Sequence, residues 1–380
     1  MTPRVTVLMA VHNGEPFVRE AVESVLAQTF EDFELLVVDD ASTDATADIV
    51  AGFTDSRIRV VRNDRNLGQV PSLNLGLPEA RGEYIARLDA DDACRPTRLE
   101  RQVAVLDREP SVGLVGTWMD AVDERGRLLG RLQKTLDDYV DFVYHTLIMR
   151  VYVSHPSAMY RREPVLRLGG YDETTGPAED KDLWRKLALE RLGARIVPEP
   201  LVVYRLHDQQ LSQVRAKYQR QVDGTSQDRF LAELAPEAPA TAVRLLLAGD
   251  DDAWNHDAAA SLRGVELVLA GARDRLALDV GEARRLQERV TARLLDVANT
   301  DPWHPSARTV AAYALARIPA DRRRAARRGH AAALVTAPLR SSARRSVQRL
   351  ADLPAVAAVR ARARRSPLAR RLYGKAMGSG

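Results

Sequence analysis

Short apolar runs alternate with amphipathic stretches through the first 120 residues. Val5 to Val11 (VTVLMAV), Phe33 to Val38 (FELLVV), Ile58 to Val61 (IRVV), Tyr84 to Leu88 (YIARL) and Val112 to Val115 (VGLV) have strand length and β-branched content. Between them, PFVREAVESVLAQ, STDATADIVAGF, VPSLNLGLPEA and PTRLERQVAVLDR carry apolar residues at helical spacing. Ser42 and Thr43 suit a helix N-cap, and Pro16 and Pro96 suit a first turn. Strand and helix in alternation predict an α/β fold on a parallel, doubly wound sheet. From about residue 229 the pattern changes to Ala, Leu and Arg at helical periodicity, with hardly any strand signal. It predicts a helical region over 229–320 and a basic, partly helical tail over 321–380.

In such sheets ligands bind beyond the carboxyl ends of the strands, where the connecting loops gather. The tips there are His12-Asn13-Gly14, Asp39-Asp40-Ala41-Ser42, Asn63-Asp64 and Asp89-Ala90-Asp91-Asp92. Every one of these tips ends in carboxylate or amide groups, so the predicted ligand face is acidic and demands a cation. The dinucleotide fingerprint G-x-G-x-x-G and the P-loop G-x-x-x-x-G-K-[ST] are both disfavoured, because only Gly14 follows the first strand and Gly374-Lys375 has neither spacing nor context. No Ser-His-Asp order or Cys-His pair offers covalent catalysis. The lone Cys94 sits among carboxylates, which raise a thiol pKa and make it a poor nucleophile.

The chain has 380 residues, enough for two domains, with 45% hydrophobic and 28% charged residues, and no segment has the roughly 20 apolar residues needed to span a bilayer. The start, MTPRVTVLMAVHNG, reads as a strand and not a signal peptide, which with the unpaired Cys94 predicts a cytoplasmic protein. The net charge of +4 hides a division: residues 321–380 hold fifteen Arg and one Lys against two Asp, leaving an acidic body.

At this point the residues resemble a known family. VTVLMAVHNGEPFVREAVESVLAQTF, FELLVVDDASTDAT and NLGQVPSLNLGLPEARGEYIARLDADD look like the nucleotide-binding half of the inverting GT-A glycosyltransferases of family 2. HPSAMYRREPVLRLGGYDETTGPAEDKDLWRKLA and VPEPLVVYRLHDQQLS look like the acceptor half. The resemblance covers about residues 4 to 215, with five segments in the family's order. It implies a GT-A domain over 1–228, with a nucleotide-sugar half (1–120) and an acceptor half (121–228), a mostly parallel Rossmann-like sheet and flanking helices.

Sugar transfer from a nucleotide diphosphate needs the leaving pyrophosphate neutralised, which a hard divalent ion on oxygen ligands does. Alternation at a strand end turns Asp89 and Asp91 to the same side. The match to the family's D-x-D motif implies that Asp91 holds Mg²⁺ or Mn²⁺ and that Asp89 binds it indirectly or holds the ribose, with Asp92 in support. An acidic turn capping the helix near Pro96 stays open as the alternative. The resemblance further implies that Asp39 contacts the base or ribose, that Val11 and Asn13 line the base pocket, and that Asn66 and Arg81 reach the diphosphate or ribose. Arg81 could as easily be solvated, and Asp40 is the more structural of its pair.

Ala178-Glu179-Asp180-Lys181-Asp182-Leu183-Trp184 resembles the family's E-D motif at a helix start, which implies Asp180 as general base and Glu179 as a sugar contact. A helix N-terminus favours the charged form of Asp180; a helix cap is the alternative. Trp184 either stacks on a substrate or fills the core, and Lys181 departs from the family's commoner aromatic. His207 is implied as a further metal ligand, and Arg205 or Ser212 as a diphosphate contact. His155 shapes the acceptor pocket.

The implied partners are a nucleotide-sugar donor, a UDP-sugar first, and a glycan or lipid-linked acceptor. The Arg-rich tail suits an anionic membrane surface, where each basic residue contributes roughly 1 kcal/mol; a solvated tail is the alternative. Nucleic acid is not expected, because the tail lacks aromatic interleaving apart from Tyr373. Two rivals remain: a nucleotidyltransferase, which should carry a Gly- and Lys-rich first loop that HNGEPFVRE is not, and a non-catalytic scaffold acting through the tail.

Overall fold

The computed structural model describes residues 2–149, 153–207, 216–249, 251–302, 304–318, 322–323 and 325–330. Strands β1 (Val5–Val11), β2 (Phe33–Asp39), β3 (Ile58–Arg62) and β4 (Tyr84–Arg87) pair in parallel in the order β3-β2-β1-β4. Helices α1 (Val18–Leu26), α2 (Thr46–Ala51) and α3 (Gln69–Glu79) connect them. In α1 the buried residues Val18, Ala21, Val22 and Val25 recur at i, i+3, i+4 and i+7, the stripe that the sequence pattern announced.

The two faces of the strands feed two cores. Val5, Val7, Met9 and Val11 of β1 pack with Phe33, Leu35 and Val37 of β2 beneath α1, α2 and α4 (Arg98–Arg108). Leu8, Leu36 and Val38 turn the other way, onto Val70, Leu73 and Leu77 of α3 and Leu183, Trp184 and Leu187 of a later helix. Each such Val or Leu contributes roughly 1.5–3 kcal/mol when fully buried, so the period-2 alternation fixes which side of each strand can face which helix.

Beyond β4 the sheet becomes mixed. Short β5 (Ala93–Cys94) precedes α4, and then follow β6 (Val112–Asp123), β7 (Leu128–Leu132), α5 (Tyr139–Leu147), β8 (Met159–Arg161), α6 (Arg162–Arg167), α7 (Glu179–Leu189) and β9 (Gly193–Leu206). The sheet continues β4-β8-β6-β9-β5, with β7 on β6. β8 runs antiparallel to both β4 and β6, whereas β9 runs parallel to β6. The GT-A-like α/β fold is as expected, with its parallel character concentrated in the first half. β6 is three times the expected VGLV because Gly116, Thr117 and Asp120 interrupt its apolar run while β9 continues to pair with it.

Two local expectations are corrected. α2 starts at Thr46, and Ser42 and Thr43 do not cap it; Asp44 Oδ1 accepts from the Thr46 N–H at 3.0 Å. Ser42 Oγ instead accepts the Asn13 N–H at 3.0 Å, joining the first and second loops. Of the two readings of Trp184, the substrate contact is set aside and the core position holds: it is 1% exposed, its Nε1 donates to the Val153 carbonyl at 3.1 Å and its ring meets Tyr160 edge-on. Trp184→Ala is therefore expected to cost about 3–5 kcal/mol of stability, read from urea unfolding, through loss of packing.

Helix α8 (Ala216–Leu234) runs straight through residue 228, where the pattern placed a boundary. Among the described residues up to 228, its buried side chains are the polar Asp223, Ser226 and Gln227, which is why apolar periodicity did not reveal that part, whereas Phe230, Leu231 and Leu234 are buried after it. Asp223 accepts from Lys181 Nζ at 2.6 Å and from the Arg185 guanidinium at 2.5 Å, and Ser226 Oγ donates to Asp182 at 2.6 Å. This network ties α8 to α7.

The chain forms two compact units, residues 1–248 with 263–289, and residues 249–262 with those from 290 on. The helices after α8 are α9 (Ala240–Ala248), α10 (Ala258–Arg275), α11 (Val280–Ala298) and α12 (Pro305–Arg317), so a helical C-terminal region is present as expected. In the second unit Trp254 stacks on His304 at 5.7 Å, and His304 caps α12 by accepting from the Ser306 N–H at 3.2 Å. Of the basic tail, residues 322–323 and 325–330 are described and helical, and the remainder lies outside the described residues. Among the described residues no helix is long and apolar enough to cross a membrane.

Candidate active site

The acidic stretch after β4 folds into a cluster. β4 stops at Arg87, so strand alternation does not bring the carboxylates together. A turn does, with the Asp92 N–H donating to the Asp89 carbonyl at 3.1 Å. Ligand atoms of Asp89, Asp91 and Asp92 lie within 4.8 Å of one another. Asp91 Oδ2 is 2.8 Å from His207 Nε2 at the end of β9, so β4 and β9 deliver these donors to one place.

Positive charge is supplied but does not balance the cluster. Arg87, wholly buried at the end of β4, bonds Asp89. Arg205 donates its N–H to Asp92 Oδ1 at 2.8 Å and its Nε to the Asp91 carbonyl at 3.0 Å. Burial, and then the charges of Asp89 and Asp91, still push the Asp92 carboxyl well above the usual carboxylate range. Asp92 Oδ2 is buried with no hydrogen-bond partner. Carboxylate oxygens, an imidazole nitrogen and an orphaned buried oxygen form a donor set that fits a hard divalent cation.

The neighbouring loops build a pocket wall mainly through the backbone. Gly14 ends the first turn where a Cβ would meet Val11 Cγ2 at 2.6 Å, so no other residue fits without movement. Asp40 accepts the N–H groups of Leu67 and Gly68, both at 2.8 Å, and Asn63 Nδ2 at 2.7 Å. Burial acts to raise its pKa, yet these donors hold it below the ordinary carboxylate range. Gly68 can meet that bond with a φ of 95°, open to glycine. Asp40 is thus structural as expected, but by clamping the β3–α3 loop; Asp39 is the residue whose Oδ1 accepts the Ser42 N–H, at 2.9 Å. Asp39 Oδ2 lies 3.3 Å from Arg62 Nε.

Not every residue proposed from the sequence reaches this place. The Val11 carbonyl accepts the Asp40 N–H at 2.8 Å, and Asn13 Oδ1 accepts the Thr43 N–H at 2.8 Å with Asn13 at φ 54°. Both therefore stand on the ligand side of the sheet, where Asn66 is exposed in the loop before α3. Arg81 does not stand there: its N–H donates to Glu34 and Thr6, near the amino ends of β2 and β1, so it lies at the far edge of the sheet from the carboxylate tips. Arg205 is 3% exposed and committed, with its guanidinium on Glu20 at 2.6 Å and over the Phe17 ring. It braces the acidic turn and is not presented to a phosphate. Ser212 lies outside the described residues.

The acidic pair opens α7. Glu179 is 5% exposed, with Oε1 3.3 Å from His155 Nδ1 and Oε2 buried without a partner. The contact is not an ion pair, because burial pushes the imidazole down to about 4 and the Glu179 carboxyl up to about 7. Asp180 is half-buried, its Oδ1 accepting the Lys181 N–H at 2.7 Å. Burial, and then the charge of Glu179, raise its pKa. The helix N-terminus favours the charged form, but these two effects act against it, so the pKa of Asp180 is raised rather than lowered.

Glu179 carries a stability consequence whose sign is set by its raised pKa. The native state holds the proton up to about pH 7 while an unfolded Glu releases it near 4.5, so stability falls as pH rises through that window. Glu179→Gln is expected to increase the free energy of unfolding at pH 8 by an amount on the order of a few kcal/mol, read from urea unfolding, and to change it little at pH 4. Cys94 behaves as an inert buried thiol as expected, although burial rather than the carboxylates raises its pKa.

Sequence reasoning missed Arg87, whose signal was a charge inside the strand-like run YIARL, and Glu20, which looked like an ordinary exposed helix residue.

A parallel nucleotide-side sheet, an acidic turn at its switch point and an acidic pair on a following helix define a GT-A-type glycosyltransferase. Residues 6–169 match the family Glycosyl transferase family 2. An "Uncharacterized glycosyltransferase" of Haemophilus influenzae is 32% identical over 222 residues, 56% of this chain and 68% of that protein. The chain belongs to glycosyl transferase family 2, and is an enzyme of that kind. The O-antigen biosynthesis glycosyltransferase WbnJ of Escherichia coli is 28% identical over 208 residues, 54% of this chain and 80% of its own. The fold is similar to that of S. aureus TarS 1-349, solved in complex with UDP-GlcNAc, with a TM-score of 0.52, 18% identity and coverage of 82% of this chain and 89% of that one. Membership sets aside the nucleotidyltransferase and scaffold alternatives.

Proposed function

We propose that the enzyme moves a sugar from a nucleotide-diphosphate donor, a UDP-sugar first, to a hydroxyl of a cell-surface glycan or lipid-linked acceptor, with inversion by direct displacement. The observation that carries this reading is the gathering of Asp89, Asp91 and Asp92 within 4.8 Å, with His207 at 2.8 Å from Asp91. Asp91, Asp89 and His207 would hold Mg²⁺ or Mn²⁺. When bound, the cation neutralises the charge that develops on the departing diphosphate. Asp39 and Asn13 receive the nucleotide, on the same edge of the sheet. Asp180 takes the acceptor hydroxyl's proton, and Glu179 holds a sugar hydroxyl. Arg87 and Arg205 keep the acidic turn in shape from beneath.

The O-antigen relative supports a surface glycan as acceptor class, and the nucleotide sugar held by the fold neighbour makes UDP-GlcNAc the first donor to try. Cytoplasmic residence, with the basic tail on the inner face of the plasma membrane, completes the proposal. Thermal-shift measurements against UDP-, GDP- and dTDP-sugars, each with Mn²⁺, Mg²⁺ or EDTA, test it. One nucleotide class should stabilise the protein only with a divalent ion; stabilisation by none, or equally in EDTA, contradicts the reading.

A further inference from the structure

A buried hydrogen-bonded chain of Tyr160, Tyr171 and His155 comes within 3.3 Å of the acidic pair, from a direction that the proposed chemistry leaves unused. Tyr160 Oη is 2.9 Å from Tyr171 Oη, Tyr171 Oη is 2.9 Å from His155 Nε2, and His155 Nδ1 is 3.3 Å from Glu179 Oε1. All four residues are under 10% exposed, Tyr160 at 0%, Tyr171 at 2%, Glu179 at 5% and His155 at 7%. They come from β8, the loop after α6, the 3₁₀ turn His155–Ser157 and the first turn of α7. Among the described residues, His155 is the one basic side chain within ion-pair distance of the Glu179 carboxyl, at 3.3 Å, and Oε2 is left buried without a partner.

The donors and acceptors in this chain admit two consistent orders. A neutral imidazole has a single N–H. If Glu179 is ionised it only accepts, so the hydrogen must sit on Nδ1; Nε2 then accepts from Tyr171, and Tyr171 in turn accepts from Tyr160. In the opposite order Nε2–H donates to Tyr171, and a bare Nδ1 lone pair faces Glu179, which is tolerable only if Glu179 carries a proton. Burial pushes Tyr160 up to about 12 and Tyr171 well above its ordinary value, so both hydroxyls keep the hydrogens they must donate. Arg87 and Asp89 from the end of β4, and Asp180 from its own helix, also act on Glu179, but as charges without a hydrogen bond to it.

We propose that Tyr171, by fixing His155 in its Nδ1–H tautomer, is a positioning residue that holds Glu179 as an ionised acceptor with Oε2 kept for a hydroxyl of the bound sugar. The proposal rests on the assignment of the α7 start to the substrate side. Tyr171→Phe removes the donor to Nε2 and frees the imidazole to reverse. His155→Leu removes the donor to Glu179 altogether, whereas His155→Asn returns an N–H close to the place of Nδ1–H.

The test has two arms. Steady-state transfer is measured for Y171F, H155N, H155L, E179Q and the double variant Y171F/E179Q, each first checked for an unchanged circular dichroism spectrum. Y171F is expected to lower kcat/KM about 5- to 20-fold and H155L about 10- to 100-fold, with H155N recovering most of that loss. In the E179Q background the Y171F change should shrink to less than about twofold, because the effect of Tyr171 runs through Glu179. Additive losses in the double variant, or equal loss in H155N and H155L, overturn the proposal.

The second arm needs no variant and so survives a failure to fold. Side-chain ¹⁵N resonances of His155 in the unaltered protein at pH 8 should report hydrogen on Nδ1, changing toward Nε2 as pH falls through about 7. Hydrogen on Nε2 at pH 8 overturns the relay. An E179Q enzyme with unaltered transfer would instead remove the substrate-side assignment, and is distinguished by leaving that tautomer measurement intact.

Discussion

Asp180→Asn is expected to lower kcat about 10²–10⁴-fold while leaving the fold intact. Asn matches Asp in shape and can still accept the Lys181 N–H that Asp180 accepts at 2.7 Å, so the first turn of α7 has no reason to change. It cannot accept a proton. The ionised carboxylate is the working form, so in the unaltered enzyme kcat/KM should fall as pH drops. Burial and the neighbouring Glu179 raise the pKa of Asp180, so the acid limb belongs to the pair and lies above the ordinary carboxylate range. An Asp180→Asn enzyme within tenfold of the unaltered rate over pH 6–9 would move the base elsewhere.

Asp91→Ala is expected to lower kcat/KM by about 10³-fold and to remove the dependence on divalent ions. Asp91 is the carboxylate in direct contact with His207, at 2.8 Å, and its side chain remains partly open to solvent while Asp92 is buried. Its loss takes away a charge that a cation needs and also frees His207, so two donors are lost with one substitution. Stability should change little, or increase, because Asp91 is one of the charges that disfavour ionisation of buried Asp92. Titration of transfer rate against Mn²⁺ and Mg²⁺ measures the effect: saturation in the unaltered enzyme, and a flat low response in Asp91→Ala.

The parallel half of the fold was legible because its central strands β1 and β2 are largely apolar on both faces. VTVLMAV needs helices above and below, and the alternation of Val5, Val7, Met9 and Val11 against Leu8 separates the two cores. The mixed half was not legible, since β8 has three residues and most of β6 lies beyond a run that glycine and polar residues interrupt. The first half of α8 was hidden for the converse reason, a buried face made of Asp223, Ser226 and Gln227.

In the site the same division holds. Asp89, Asp91, Glu179 and Asp180 stand out in sequence as acidic groups at element ends, and local backbone makes such ends converge. Burial does not show in a motif, so the raised pKa of Asp180, the internal commitment of Arg205 and the core position of Trp184 had to come from packing. Arg81 shows the limit of a motif carried over position by position. It follows α3 in sequence, but the parallel connection returns the chain to the amino edge of the sheet, away from the carboxylate tips.

The central claim is a division of labour, in which the acidic turn serves the donor and the α7 start serves the acceptor. Calorimetric binding of UDP-sugar in the presence and absence of Mn²⁺, for Asp91→Ala and Asp180→Asn side by side, measures it most directly. Asp180→Asn is expected to bind donor with the unaltered cation dependence despite its slow transfer, while Asp91→Ala is expected to lose cation-dependent binding. Equal weakening of donor binding in both variants, or unaltered cation-dependent binding in Asp91→Ala, would contradict it.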